Sequence, residues 1–367
     1  MSQDTSLIRP EIAGLADYNA GLAIDRFREV YGVAARAKLD SNENPLGPAP
    51  GAIAAMRDCA PGIWRYPDAA DLALRQAIGG ATGLDPDAVI VGNGSEDLIG
   101  AIYRAVLRPG DRVLTICPSF GLHEFGAQAF GARVQKVPFP ADWSFPVDGL
   151  IAELHAPARV LIFSSPSNPA GAAITRADFA RLVAALPPRT LLVFDEAYRE
   201  YLDADLAFDP VPILRDAGLN WISLRTFSKA YGLAGARVGY GLCSSAELTR
   251  ALRKTRNPFA VNAFAGAAAL AALQDAAHLA HTTATTRTER ARLSAALTEA
   301  GHDIAPSAAN FLFFRTPGPA VDLVEALRRQ GVLIKGWQEP PFLDWARVSI
   351  ATPRENDIFL SALRTIA

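Results

Sequence analysis

The stretches TLLVFDEAY, at residues 190–198, and WISLRTFSKAYGLAG, at residues 221–235, decide the fold. Each begins with a short apolar run and continues into polar residues. Runs that are apolar at successive positions are typical of strands buried on both faces of a mostly parallel sheet. Because the carboxyl ends of parallel strands meet at one edge of a sheet, we expect Asp195 and Lys229 to lie close together there.

Five further apolar runs surround these two strands, and helix-like stretches separate them. The other strand candidates are residues 88–91, 112–117, 133–138, 159–164 and 238–243. Residues 96–107 and 176–186 have helical patterns, and Thr175 followed by Asp178 is an N-cap signal for the second helix. The alternation predicts an α/β fold, with a mostly parallel central sheet covered by helices.

The pattern changes after residues 256–258, which read RNP. Residues 260–300 are rich in alanine and arginine and predict a long helix. Strands are expected at 310–315 and 347–351, a helix at 321–330 and another at the C terminus. We therefore expect a large domain, which contains the central sheet, at residues 36–257. A smaller α+β domain would comprise residues 258–367 and an N-terminal arm, residues 1–35.

Charge and composition argue against several classes of function. The formal net charge is −2 and the pI is about 6.2, so neither nucleic acid nor an anionic membrane is an expected partner. The three cysteines lack C-x-x-C spacing, which argues against a disulfide framework and against a metal site. With no leader-like pattern at the start and no long apolar run, we expect a soluble cytoplasmic protein.

Several local motifs are suited to binding an anion or a cofactor. VGNGSE, at residues 91–96, leads from a strand into a helix, where Ser95 and the glycines present backbone N–H groups. Arg237 adds a guanidinium group that suits a phosphate. Taken singly, each motif also has a structural reading: a turn at 165–171, a capping Asp195, a surface Lys229. The glycines match neither a P-loop nor a dinucleotide-binding turn.

Taken together and in order, the motifs resemble one family. GNGSEDL at 92–98, SPSNPAG at 165–171, FDEAY at 194–198 and RTFSKAYGLAGARVGY at 225–240 look like a fold-type I pyridoxal-phosphate aminotransferase. LDSNENPLGP at 39–48, RYPD at 65–68, NF at 310–311 and RVSIATP at 347–353 narrow the resemblance to the histidinol-phosphate aminotransferase subfamily. The similarity extends from about residue 38 to the C terminus.

The resemblance implies pyridoxal 5′-phosphate as the cofactor. Lys229 would carry it as a Schiff base and move a proton during catalysis. Asp195 would pair with the pyridine nitrogen, and Tyr198 with Asn168 would contact the phenolic oxygen. The implied catalytic residues are Lys229, Asp195 and Tyr198. The implied cofactor-binding residues are Ser95, Glu96, His123, Asn168, Asp195, Tyr198, Thr226, Ser228, Lys229, Arg237 and Tyr66. Tyr66 resembles a tyrosine that reaches the cofactor phosphate from the neighbouring subunit, which implies a homodimer with shared active sites.

The resemblance also implies a substrate-binding set and shows three departures from the family pattern. The set comprises Arg347, Asn44, Tyr18 and Lys335, and Tyr18 would close over the substrate. His123 stands where the family usually has an aromatic ring, and we expect its imidazole to stack on the cofactor. Lys335 stands where an arginine is common, so the charge is kept and the bidentate fork is lost. The pair Glu96-Asp97 reverses the usual order.

The leading hypothesis for function is transamination of L-histidinol phosphate with 2-oxoglutarate by a ping-pong mechanism. An aromatic or other amino-acid aminotransferase on the same framework is the alternative, favoured by His123 and Lys335. A threonine-phosphate decarboxylase-like lyase and a non-catalytic cofactor-binding regulator are further alternatives. SKAYGLAG, at 228–235, looks more like the transaminases, and an intact Lys229 and Asp195 argue against the regulator.

Overall fold

The computed structural model describes residues 7–17 and 21–366, which form an α/β architecture. Its helices are α1 Pro10–Ala13, α2 Ile24–Tyr31, α3 Pro50–Cys59, α4 Leu72–Thr82, α5 Gly94–Val106, α6 Gly121–Ala129, α7 Val147–Glu153, α8 Arg176–Ala184, α9 Pro210–Asp216, α10 Ala246–Thr255, α11 Ala263–Gln274, α12 Ala276–Glu299, α13 Ala320–Arg329 and α14 Pro353–Ile366. Its strands are β1 Ala37–Lys38, β2 Val89–Gly92, β3 Arg112–Cys117, β4 Arg133–Pro138, β5 Val160–Ser164, β6 Leu191–Asp195, β7 Trp221–Thr226, β8 Gly239–Cys243, β9 Ile304–Ala305, β10 Phe311–Arg315, β11 Val332–Leu333, β12 Lys335–Gly336 and β13 Trp345–Ser349.

The central sheet has seven strands in the order β2-β8-β7-β6-β5-β3-β4. All neighbours are parallel except β8, which is antiparallel to both β2 and β7. Successive side chains of β6 enter opposite cores: Leu192 and Phe194 pack on one face, and Leu191 and Val193 on the other. Burial on both faces explains the near-continuous apolar runs, and the predicted mostly parallel sheet is confirmed.

A second, smaller sheet has the antiparallel order β12-β13-β10-β9. β1 pairs in parallel with β11 beside it, so the chain segment before α3 joins this smaller unit. A separate core, which includes Leu39, Leu312, Val348 and Phe359, fills the space between this sheet and α12–α14. The smaller unit therefore has its own hydrophobic interior.

One predicted helix is wrong in its extent. Residues 260–300 form two helices, α11 and α12, which meet at an 82° bend. Asp275 lies at the break and its carboxylate accepts a hydrogen bond from the backbone N of His278, at 2.9 Å. Asp275 therefore caps α12, which starts the second helix in a new direction. The uninterrupted alanine-rich composition hid this break.

The predicted domain limits stay a prediction, and two contacts favour a different assignment of the segments near them. α11 packs closely against α3, and its buried alanines belong to the core of the central sheet. α1 lies against α6, with a hydrogen bond from Arg9 Nη2 to the backbone O of Ala129 at 2.9 Å. α2 instead reaches the smaller unit through Tyr31, which donates to Glu325 at 2.9 Å.

By length and hydropathy, no single helix in the described part of the chain qualifies as a membrane span. One bent pair, α11 with α12, meets the same criterion when the two helices are taken together.

Candidate active site

A cavity of about 860 Å³ opens at the carboxyl edge of the central sheet. β5, β6 and β7 end there at Ser164, Asp195 and Thr226, and all three residues line the cavity. Lys335 and Arg347 of the smaller sheet form the facing wall. The cavity therefore lies where ligands bind in open α/β sheets, and it is closed by the second unit.

Lys229 follows β7 and lies on the cavity wall. Its Nζ donates a hydrogen bond to the backbone O of Ser41, at 3.0 Å, and lies 5.8 Å from the centre of the Tyr198 ring. Burial, helped by the positive charge of Arg347, lowers the pKa of Lys229 to about 8. An amine with this pKa is partly neutral near physiological pH and is therefore an available nucleophile.

Asp195 is 3% exposed at the base of the cavity. Its Oδ1 accepts a hydrogen bond from the backbone N of Ala197, at 3.0 Å. Its Oδ2 lies 3.2 Å from Nε2 of His123, whose Nδ1 lies 3.2 Å from Oγ of Ser119. The carboxylate is thus held in one orientation by a buried histidine.

We expected His123 to stack on the cofactor, but this arrangement places it elsewhere. The His123 ring is fully buried and lies behind Asp195, because both its nitrogens find hydrogen-bond partners there. Phe120 lies on the cavity wall instead, edge-on to His123 at 5.5 Å between ring centres. Phe120 is therefore an aromatic residue placed to contact a ring in the cavity, and it lies three residues before His123 in the stretch PSFGLH at 118–123.

Tyr198 is held from the side of the smaller sheet. Its Oη accepts a hydrogen bond from Nδ2 of Asn42, at 3.0 Å. Oδ1 of Asn42 accepts in turn from Oγ of Ser349 on β13, at 3.0 Å. Sequence reasoning missed Asn42, although it lies in the quoted stretch LDSNENPLGP. These hydrogen bonds tie the phenol to the smaller sheet.

Arg347 and Lys335 place two cations on the wall formed by the smaller sheet. Arg347 Nη1 donates to Oδ1 of Asn168 at 2.6 Å, and Nη2 donates to the backbone O of Asp40. Lys335 and Arg347 are register partners on the antiparallel strands β12 and β13, so their side chains lie on the same face. Burial and the charge of Arg347 lower the pKa of Lys335. This wall is suited to an anionic group.

The start of α5 forms a second anion-binding corner. Gly94 and Ser95 are the first two residues of the helix, so their backbone N–H groups have no intrahelical acceptor. Arg237 approaches this end, with its Nη2 3.5 Å from Oε2 of Glu96. Gly94 has φ +81°, and a Cβ there would lie 2.8 Å from Arg237 Nη2. A side chain would be strained at this φ and would displace the end of Arg237, so glycine suits a corner that holds a ligand at the helix N-terminus.

Hydroxyl groups from the end of β7 complete this corner. Oγ1 of Thr226 accepts a hydrogen bond from the backbone N of Ser228, at 3.1 Å, and both residues line the cavity. A Cβ on Gly239 of β8 would lie 2.5 Å from the backbone N of Ser95. The neighbouring strand thus approaches closely and supports the first turn of α5.

Two predicted residues lie outside this constellation, and a third is not among the described residues. Asn44 does not line the cavity; its Nδ2 donates to the backbone O of Ala230 at 3.1 Å and so braces the turn that carries Lys229. Tyr66 is 82% exposed and stacks on Phe259, with 4.6 Å between ring centres. Tyr18 lies outside the described residues.

Comparison with known proteins assigns the family. The profile "Aminotransferase class I and II" matches residues 36–363. The chain is 45% identical to histidinol-phosphate aminotransferase 3 of Rhizobium meliloti, over 98% of this chain and 97% of that protein. It is 44% identical to histidinol-phosphate aminotransferase 1 of Mesorhizobium japonicum, over 99% of each. The chain belongs to the class I and II aminotransferases.

A solved structure agrees with this assignment and identifies the cofactor. The aminotransferase superimposes on the histidinol-phosphate aminotransferase of Sinorhizobium meliloti in complex with pyridoxal 5′-phosphate, with a TM-score of 0.90 and 31% identity over the full length of both chains. This protein is therefore a pyridoxal-phosphate-dependent enzyme of fold type I. Its substrates are a small-molecule amino donor and an oxo-acid acceptor.

The cavity of the aminotransferase fits pyridoxal phosphate. The open corner at Gly94, with Arg237 beside it, suits a phosphate. The buried carboxylate of Asp195 suits a protonated ring nitrogen, and the lowered pKa of Lys229 suits covalent attachment of an aldehyde. Phosphate, ring and aldehyde groups each meet matching chemistry in one cavity.

Proposed function

We propose that the enzyme transfers the amino group of L-histidinol phosphate to 2-oxoglutarate, forming imidazole acetol phosphate and L-glutamate by a ping-pong mechanism. The observation that carries this proposal is the pairing of Lys335 on β12 with Arg347 on β13. The two residues are register partners on the cavity wall that faces Lys229. The cofactor phosphate already has its own corner at α5, and the positive charge of this second wall suits an anionic group of the substrate. The names of the two relatives described above support the same substrate.

The residues proposed to hold the cofactor divide by its chemical groups. The phosphate would be bound by the α5 corner, through Ser95, Thr226, Ser228 and Arg237, with Glu96 paired to the arginine. Asp195, oriented by His123, would hold a proton at the ring nitrogen. Tyr198 would contact the phenolic oxygen. Asn168 would do so through Nδ2, because its Oδ1 accepts from Arg347.

Proton transfer is assigned to Lys229. Pyridoxal phosphate, when bound, supplies an electron sink for the negative charge that develops at the α-carbon of the donor. Nζ of Lys229 is the base that takes the proton from that carbon, and it returns a proton to complete the transfer. Arg347 orients the donor through its anionic group, and Phe120 excludes water from one side of the cavity.

An aromatic or other amino-acid donor is the second candidate, and Lys335 is the observation that favours it. A lysine is a compact point charge, whereas an arginine would bind a phosphate through two parallel hydrogen bonds. If the donor carries a carboxylate that pairs with Arg347, it needs a weaker contact from Lys335 than a phosphate does. Comparison of donors with and without a phosphate separates the two candidates.

The proposal includes a homodimer in the cytoplasm, with active sites shared between the subunits. Tyr66, Phe259, Ile63 and Trp64 form an exposed apolar surface, which we call the aromatic patch. Tyr66 and Trp64 are 82% and 74% exposed in the single chain. Large apolar patches of this kind mark interfaces, and a second copy of the chain is the proposed occupant.

The substrate is tested by steady-state kinetics with 2-oxoglutarate as the acceptor. We expect kcat/KM for L-histidinol phosphate to exceed that for L-phenylalanine and for unphosphorylated L-histidinol by about a hundredfold, because charged hydrogen bonds to the phosphate are lost with either. L-Histidinol is the matched control, since it differs only by the phosphate. Equal rates for the two histidinols, or a preference for phenylalanine, would contradict the substrate while leaving the transaminase assignment intact.

A further inference from the structure

One face of α13 adjoins the cavity and carries a third cation. Val321, Val324 and Arg328 line the cavity with spacings of three and four residues, as on one side of a helix. The next residue, Arg329, lies away from it with a side chain that is 74% exposed. Adjacent arginines on this helix therefore have different surroundings.

The charge of Arg328 is not balanced by a carboxylate. Within the described residues, none lies within the 4.0 Å that defines an ion pair with Arg328. Glu325, one turn earlier, is engaged elsewhere: it accepts from Tyr31 Oη at 2.9 Å and pairs with Arg329 at 3.5 Å. The chain thus places a carboxylate nearby and directs it to other partners.

The hydrogen-bond donors of Arg328 are incompletely used. Nη1 donates to Oη of Tyr31, at 3.3 Å, which holds the guanidinium in place from behind. Nε is shielded from solvent and has no hydrogen-bond partner in the described structure. An unsatisfied donor on a charged group is costly to leave unpaired, and an anionic ligand that draws the guanidinium into the cavity would satisfy it.

The position of α13 brings this arginine to the wall that already carries the substrate cations. α13 packs directly on β12, where a Cβ on Gly336 would lie 3.2 Å from Cγ2 of Val324. Lys335 precedes Gly336 and is paired in register with Arg347. A phosphate monoester carries nearly two negative charges and three acceptor oxygens at neutral pH. Lys335 meets it as a point charge, whereas Arg328 offers a planar fork.

We propose that Arg328 is a specificity-determining residue that binds the phosphate of the donor together with Lys335 and Arg347. The inference rests on the proposed function, because it assigns a third partner to the phosphate of L-histidinol phosphate. Arg328 provides the bidentate contact that lysine at position 335 cannot, and Tyr31 is the positioning residue that holds its guanidinium through the hydrogen bond from Nη1.

The test compares Arg328→Gln and Arg328→Lys with the control Arg329→Gln, all as cofactor-loaded enzymes. Arg328→Gln is expected to raise KM for L-histidinol phosphate roughly tenfold or more, as for loss of a charged hydrogen bond, with kcat changed less than about twofold. KM for L-glutamate stays the same, since glutamate carries no phosphate. Arg328→Lys gives an intermediate KM, and Arg329→Gln behaves as the wild type.

A direct binding measurement separates failure of this inference from failure of the proposed function. Inorganic phosphate is used as a competitive inhibitor of the half-reaction of the cofactor-loaded enzyme with L-glutamate, followed by loss of the yellow absorbance. Arg328→Gln is expected to raise the inhibition constant of phosphate by a similar factor. If the wild type rejects L-histidinol phosphate, the proposed function fails, and the phosphate inhibition alone decides on Arg328. Unchanged values for both KM and the inhibition constant would overturn the inference.

The variant Tyr31→Phe tests whether the role of Arg328 is purely structural. It removes the hydroxyl that links α2 to Arg328 and Glu325. We expect this variant to raise KM only about twofold. If Tyr31→Phe and Arg328→Gln lower Tm equally and raise KM for both donors equally, Arg328 serves to anchor α2 and the inference is overturned.

Discussion

Among single residues, the surroundings of Lys229 control when its amine can react. Burial and the charge of Arg347 favour the neutral form and lower the pKa to about 8, while Glu43 acts in the opposite direction. Between about pH 8 and the ordinary value of 10.5, the folded protein has released this proton and the unfolded chain still binds it. The penalty of burying the charged amine is therefore present below pH 8 and is relieved as the pH rises through this window.

This pKa predicts how the enzyme stripped of cofactor captures pyridoxal phosphate. The rate of covalent attachment, followed by absorbance, should rise with pH and level off above about 8, because the neutral amine is the nucleophile. Arg347→Met should move the midpoint to higher pH, and Glu43→Gln should move it to lower pH. If the wild type and both variants have the same midpoint, or if the midpoints lie near pH 10.5, this description of the site is contradicted.

The sequence predicted the positions of many single residues, but the prediction failed where a residue's role depends on a partner distant in the chain. Lys229, Asp195 and Asn168 follow strands, and the motif order brought them to one edge correctly. His123 was given a stacking role, because its contact with Asp195 joins residues 72 positions apart and leaves no local signal. Arg328 had no motif at all; only the packing of α13 on β12 reveals it.

Among structural elements, the first turn of α5 is the part that we expect to govern cofactor affinity. Gly94→Ala adds a methyl group 2.8 Å from Arg237 Nη2, at a residue with φ +81°. Gly218→Ala is the matched control, because Gly218 has φ +64° and open space around it. Both variants should lose about 1 kcal/mol of unfolding free energy to backbone strain.

The two variants should differ in cofactor binding. Gly94→Ala is expected to weaken the affinity for pyridoxal phosphate at least roughly tenfold, because Arg237 must shift and the amide corner is partly filled. Gly218→Ala should bind the cofactor normally. Fluorescence titration of the stripped enzyme measures both affinities, and denaturation in urea measures both stabilities. Equal affinities would show that the phosphate binds elsewhere.

The strands of the central sheet were largely predictable, because a strand buried on both faces has apolar residues at nearly every position. β3 and β4 have the predicted limits, and Thr175 caps α8 through Asp178 as predicted. The break at Asp275 was missed because alanine favours helix on both sides of it. The register that sets Lys335 opposite Arg347 was not predicted, because β12 has two residues and is too short to show an alternating pattern in the sequence.

For the whole molecule, the proposed sharing of active sites between subunits predicts complementation between two inactive variants. Lys229→Ala and Tyr66→Ala are each expected to lose most activity. If Tyr66 serves the partner subunit, a mixed dimer contains one site with both residues intact. Unfolding and refolding the two variants together in equal amounts should then restore about a quarter of wild-type activity, since half of the dimers are mixed and each has one working site.

The same experiment contains its own controls. Refolding either variant alone should restore nothing, and size-exclusion chromatography should show dimers in every sample. If the mixture stays inactive while dimers form, Tyr66 acts within its own chain or has no part in catalysis. Tyr66 would then not serve the active site of the partner subunit, and dimer formation would be the only role left for the aromatic patch.

Transfer of the amino group from L-histidinol phosphate is tested most directly in a single turnover. The yellow cofactor-loaded enzyme is mixed with L-histidinol phosphate in the absence of acceptor, and absorbance and products are followed. We predict loss of the yellow absorbance with about one equivalent of imidazole acetol phosphate per subunit. Addition of 2-oxoglutarate should then restore the colour with one equivalent of L-glutamate. A spectrum that L-glutamate changes but L-histidinol phosphate does not would contradict the assigned donor, and a spectrum that changes with neither would contradict the assigned chemistry at Lys229.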